Sequence, residues 1–203
     1  MMATTHVLAG LAVAAVASIL APEATLYAVV AGALGGLVPD LDLYAGHRRT
    51  LHFPVYGWLA AAIGVLVAAI APSPGTIAVA VFLTAFALHS LSDVLGGGLE
   101  LRPWEGTSDR AVFSHFHGVW WAPRRFVRYD GAPEDLLVAV LLAVPSVLAF
   151  DARVDLFVGA ALAISAGYVL VRKPMVRIAE WLVDRIPAPV LARVPERFVE
   201  DMT

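Results

Sequence analysis

Six apolar stretches, each close to the length that crosses a bilayer, leave this chain few ways to fold. They run from about Thr5 to Ala21, Pro22 to Val38, Pro54 to Ala71, Thr76 to Leu95, Pro133 to Phe150 and Val154 to Val171, each bounded by Pro, Gly or charge. A crossing helix needs roughly 17 to 25 such residues. The rest of the composition agrees: 60% of the 203 residues are hydrophobic and 15% charged, against roughly 25% charged in an ordinary soluble domain. The expectation is an all-α, polytopic membrane helix bundle of about six transmembrane helices. Residues 1–173 then form one membrane domain, with 96–132 as a cytoplasmic or interfacial loop. The first two stretches are short, roughly 25 Å at 1.5 Å per residue, which implies tilt or local bilayer thinning. Gly32 and Gly36 would let helix backbones approach closely, although plain apolar filler reads the same way. A cleaved signal peptide is the alternative for the first stretch, but it lacks a basic leading segment and five further stretches follow it.

Six crossings return both termini to one side. That side also holds the 39–53 and 96–132 loops, and of the 14 Lys and Arg only Arg153 falls on the other. The positive-inside rule makes the basic side cytoplasmic, and Arg48, Arg49, Arg172 and Lys173, close to span ends, agree. From Met175 to Ile186, Met175, Ile178, Ala179, Leu182 and Ile186 share one helical face opposite Arg177, Glu180 and Asp184. Residues 174–203 are therefore expected as an amphipathic tail along the cytoplasmic interface. Trp104, Trp120, Trp121 and Trp181 suit the same headgroup layer.

The formal net charge of −3 and the scattered basic residues argue against direct contact with nucleic acid. Cysteine is absent, which excludes disulfides, thiolate metal sites and cysteine nucleophiles. Any metal must sit on His, Asp or Glu.

All six histidines, His6, His47, His52, His89, His115 and His117, fall on the cytoplasmic side or within about two turns of it. His89 and Asp93, four apart on the fourth stretch, project from one helix face and can share a cation. The competing reading is a hydrogen-bonded pair that locks two helices, at a cost a metal would remove. Pro39, Asp40, Leu41 and Asp42 follow the second stretch, where proline stops the helix and two carboxylates can converge on a cation. Imidazole with carboxylate suits zinc, manganese or iron better than magnesium. His6 completes a set drawn from four segments. Asp130 and Glu134 could add ligands, yet Asp130 through Asp135 reads better as helix N-terminal acid around Pro133.

His6, the PDLD of 39–42, the HRRTLH of 47–52 and the HSLSD of 89–93 together resemble the membrane-bound metal-dependent hydrolases of the YdjM-like group, also labelled LexA-binding, inner membrane-associated hydrolases. The resemblance covers roughly residues 1–110. More distantly, the order His, Asp, His, HxxxD is similar to zinc-dependent phospholipase C and P1 nuclease. It implies His6, Asp40, His52, His89 and Asp93 as ligands in an enzyme of the prokaryotic inner membrane. The chain departs from the family where Thr50, Leu51, His52 and Phe53 stand in place of Thr-His-Ser, and no later stretch supplies another HxxxD or HxxxE. Two zinc ions, or manganese or iron, are expected rather than three.

The functional expectation is metal-assisted hydrolysis at the cytoplasmic interface, on a phosphoester of a membrane lipid or lipid-linked substrate. Asp42 is a candidate metal ligand or general base, and Arg48 and Arg49 are candidate phosphate donors as well as topology markers. His47, His115 and His117 are secondary candidates for metal. The rivals are a divalent-cation transporter and a non-catalytic scaffold pinned by metal. Against transport, His89 stands about six residues, roughly 9 Å, from the cytoplasmic helix end instead of at the midplane.

Overall fold

The structure, a computed structural model, describes residues 1–187, 190 and 193. Each of the six apolar stretches forms a helix, because Ala and Leu, strong helix formers, outweigh the β-branched Val and Ile among them. In chain order these are α1 (Ala3–Leu20), α2 (Thr25–Leu37), a one-turn α3 (Leu43–Gly46), α4 (Tyr56–Ile70), α5 (Pro74–Leu95), α6 (Pro133–Ala149) and α7 (Ala152–Val183). Tight 3-10 turns, Pro22–Ala24 and Val38–Asp42, extend α2 at both ends.

Among the described residues, four helical segments are long and apolar enough to cross a membrane: Ala3–Leu20, Pro22–Asp42, Pro74–Leu95 and Ala152–Val183. That fits a membrane-associated helical protein. The other two of the six expected crossings are shorter as helices. The residues before Tyr56 belong to a loop, so α4 keeps 15 residues, and α6 has 17 with Glu134 and Asp135 in its first turn.

The bundle is built on α1, which packs against α2, α5, α6 and α7, while α4 lies on the outside of α5. Small residues set the spacing. A Cβ on Gly10 would collide with the Gly32 carbonyl, and one on Gly36 with the carbonyl of His6, so α1 and α2 touch backbone to backbone. Leu8 and Leu11 of α1 meet Ala139, Ala143, Val158 and Ala161 of α6 and α7 in one buried cluster.

Two features differ from the sequence reading. The tail does not form a separate helix from residue 174: α7 continues through Pro174 to Val183, 32 residues in all. Helices tolerate such a proline when neighbouring groups satisfy the backbone it leaves free. The 173/174 boundary therefore falls inside a helix, and most of the tail beyond residue 187 lies outside the described residues. The 96–132 loop also carries an antiparallel hairpin, β1 (Val112–Ser114) and β2 (Val119–Trp121), which makes the chain mostly but not wholly helical. Its signal was present in the β-prone Val, Phe and Trp of VFS and VWW on either side of the turn at Gly118, whose φ of 69° suits it.

Candidate metal centre

The start of α1, the end of α2 and the end of α5 meet at one end of the bundle, and the 47–53 loop folds over them. There, single ligand atoms of Asp40, His52, His89 and Asp93 all lie within 4.8 Å of one another. His52, His89 and Asp93 are fully buried, whereas 22% of the Asp40 side chain remains exposed and marks the side open to solvent.

Local sequence explains the convergence. The i, i+4 spacing stacks His89 and Asp93 on one face of α5. Pro39 starts the 3-10 turn that swings Asp40 beneath α5, leaving its Oδ1 3.3 Å from His89 Nε2. Ser90 Oγ accepts from Phe53 N at 3.1 Å and ties the segment bearing His52 to α5. His52 Nε2 then sits 3.3 Å from Asp93 Oδ2.

Hydrogen-bond logic fixes what these atoms offer. His89 Nδ1 lies 2.7 Å from the Gly36 carbonyl, which can only accept, so Nδ1 carries a proton and Nε2 is the atom turned toward Asp40 and Asp93, a lone pair when the ring is neutral. His52 Nδ1 faces Asp42 Oδ2 at 3.0 Å, and a carboxylate oxygen also only accepts. Its Nε2 likewise faces Asp93 Oδ2. With both rings neutral, two lone pairs crowd one carboxylate oxygen and repel unless positive charge, a bound cation or a second proton on a ring, lies among them. In keeping with this, His52 Nε2, His89 Nε2 and Asp93 Oδ2 are buried and find no hydrogen-bond partner among the described residues, an arrangement that is costly for polar atoms. The donor set fits a divalent cation that takes nitrogen and oxygen ligands. The Gly36 carbonyl and the Asp42 carboxylate, which accept the Nδ1 protons of His89 and His52, are the kind of partners that metal-binding imidazoles commonly have.

The remaining candidates occupy other places. Asp42 is turned away from the group: Oδ1 takes His47 Nδ1 at 3.0 Å and Arg48 N at 3.3 Å, and Oδ2 takes His52 Nδ1 and Leu51 N, both at 3.0 Å. With four donors on two oxygens it orients His52 and has no lone pair left for a water or a metal. Asp42, expected as ligand or base, thus lies outside the four-residue group and beside His52. His47 stands behind Asp42, half-buried.

His6 stacks on His89, ring centroids 3.6 Å apart, and its Nε2 lies 3.1 Å from the other Asp93 oxygen, Oδ1. The Met1 amine donates to the same Oδ1 at 2.8 Å. Ser92 Oγ gives its hydrogen to the His89 carbonyl, so it accepts from His6 Nδ1 at 3.1 Å. His6 therefore adjoins the four-residue group from the far side of Asp93.

Arg48 is buried, in a left-handed conformation with φ 57°. Its Nη1 donates to the Gly97 carbonyl at 2.8 Å, and its Nε sits 3.4 Å from Asp93 Oδ2 without a hydrogen bond. It neutralises Asp93 from inside. Arg49 is exposed, its guanidinium 4.6 Å above Phe113. His115 and His117 lie on the hairpin, bonded to the Arg49 carbonyl and to Ser114 Oγ, and are not part of the group.

Sequence reasoning missed the supporting cast. The Gly36 carbonyl, Ser90 and Ser92 leave no pattern beyond their place beside His89. Asp135 does sit in the first turn of α6, as expected for a helix N-terminal acid, yet it serves another helix. Fully buried, it accepts from Met2 N at 2.8 Å, Thr5 Oγ1 at 2.7 Å and Gly131 N at 3.1 Å, so it caps α1, whose own N-cap residue offers no side-chain bond. Glu134 pairs with Arg128, and Asp130 with Arg172 and Tyr168.

No family model, no curated protein and no solved structure matches the chain.

Proposed function

We propose that this chain is a membrane-embedded, metal-dependent hydrolase that works at the cytoplasmic face and cleaves a phosphoester of a lipid or lipid-linked substrate. All six long helices cross or enter the bilayer, both termini are cytoplasmic, and the ions are zinc, manganese or iron. One observation carries the reading: two buried imidazoles, each with its Nδ1 proton held by an accept-only partner, turn Nε2 atoms that have no hydrogen-bond partner toward an equally unpartnered oxygen of Asp93. A bound cation supplies Lewis-acid polarisation and a more acidic water. The protein's own residues hold the ligands and leave Asp40 at the entrance. Arg48 offsets the charge of Asp93. His6 and Asp93 Oδ1 offer ligand atoms for a second ion on the other side of the shared carboxylate. The group's place at a bundle end, among loops, supports interfacial chemistry over transport through the midplane.

The test is turnover of a panel of phospholipids and isoprenyl phosphates by the purified protein, with metal content measured alongside. Metal-dependent release of product that disappears in His52→Ala supports the reading. Full metal occupancy without turnover on any member supports the second reading, a metal-pinned scaffold. That alternative is favoured by the near-complete burial of three of the four ligands, since closed sites are the structural kind.

A further inference from the structure

The hairpin beside the candidate metal centre carries apolar residues that are more than half exposed. Phe116 in its turn is 59% exposed and Val119 on β2 is 52% exposed, although the hairpin is bedded on the protein elsewhere. The bedding is specific. Phe113 N donates to the Arg48 carbonyl at 2.9 Å, His115 Nε2 donates to the Arg49 carbonyl at 2.6 Å, and the His115 ring lies 4.8 Å from that of Phe53. The hairpin is thus fastened to the 47–53 segment, which delivers His52 to the site.

The tip stands at the first residue of α4: the rings of Phe116 and Tyr56 meet edge to face, centroids 5.9 Å apart. With 15 residues, α4 is about 22 Å long, short of the roughly 30 Å hydrocarbon layer. An apolar hairpin at its entry end extends the lipid-facing surface where the helix stops. The polar groups around it suit the layer above. The Arg110 guanidinium lies 5.8 Å over Trp120 and that of Arg49 4.6 Å over Phe113, a pairing of ring and cation that matches acyl chain below and phosphate above. Leu41, Leu43 and Phe126, also exposed, belong to connections at the same bundle end.

We infer that the 112–121 hairpin is a lipid-binding element: its tip enters the headgroup–acyl boundary next to α4, with Phe116 and Val119 among acyl carbons and Arg49 and Arg110 at the phosphates. The metal centre then lies within the headgroup layer and not above it, and lipid contact at the hairpin is transmitted to the His52 segment through Phe113 and His115. This inference concerns the hairpin alone and stands apart from hydrolysis.

Because the chain has no cysteine, single-cysteine variants report position directly. Phe116→Cys, Val119→Cys, Glu105→Cys on the exposed loop and Val65→Cys on the outer face of α4 would each carry an environment-sensitive fluorophore in nanodiscs of phosphatidylglycerol and phosphatidylethanolamine. The expected result is several-fold stronger quenching by nitroxide-labelled lipid at 116 and 119 than at 105, approaching 65, with iodide quenching in the opposite order. Iodide access at 116 and 119 equal to that at 105 would overturn the inference and mark the hairpin as a surface for a protein partner. Both labelled positions are exposed, so neither variant depends on refilling the core, and no outcome depends on whether any substrate is cleaved.

Discussion

Buried Asp135 and half-buried Asp130 on one side, and buried Asp93 on the other, lie at the same end of the bundle and are treated in opposite ways. Asp135 and Asp130 are satisfied by the protein itself: the first by Met2 N, Thr5 and Gly131, the second by Arg172 and Tyr168. Asp93 has more neighbours, yet its Oδ2 faces two imidazole nitrogens and Arg48 Nε without a hydrogen bond to any of them. The fold can pair a buried acid when the acid's task is to hold helices together. Where it leaves one carboxylate oxygen without a hydrogen bond among imidazole nitrogens, the group could hold a metal ion.

That contrast can be broken in measurable ways. The largest effect is expected from metal removal. A chelator should destabilise the wild-type protein by about 4 kcal/mol if the ion was present at a thousandfold excess over its Kd, read as a fall in the unfolding midpoint. An unchanged midpoint would erase the difference between the two sets. Asp135→Ala should cost about 3 kcal/mol by stranding three donors, and the loss should persist in chelator, because this carboxylate serves the helices and not the ion. Asp42→Asn sharpens the comparison from the metal side. It weakens the hold on His52 Nδ1 without touching a ligand, so zinc affinity by competition titration should drop about 10- to 100-fold. The smallest effect belongs to Arg49→Ala, an exposed cation over Phe113 worth about 0.5–1 kcal/mol. Its metal affinity should match the wild type, and a large loss there would mean that the 47–53 loop is held differently.

How far the sequence alone carries depends on whether a contact is local. The helix positions follow from apolar runs and their proline boundaries, and the His89–Asp93 pairing follows from i, i+4 geometry, so both are readable from one segment. Spacing alone does not distinguish Asp40 from Asp42, since two residues apart in a loop says nothing about which faces inward; only the family resemblance singles out Asp40. The 3-10 turn after Pro39 decides it, sending Asp40 to the group and Asp42 to His47 and His52. Arg48 and Arg49 look alike in sequence, yet a left-handed residue at 48 folds the first inward and leaves the second outside. His115 and His117 share the charge pattern of the true group but belong to a hairpin whose register places them over Phe53 and Ser114. Asp135 carries the plainest lesson: a helix N-terminal acid by position, it caps a helix that begins some 130 residues earlier, a relation that only the packing of α6 on α1 creates.

The most direct test of the central claim is the metal content of the purified, zinc-loaded and desalted protein, measured by inductively coupled plasma mass spectrometry beside Asp93→Asn and His89→Ala. A cation among Asp40, His52, His89 and Asp93 requires stoichiometric zinc in the wild type and its loss from both variants. Metal-free wild-type protein, or equal zinc in all three, would contradict it.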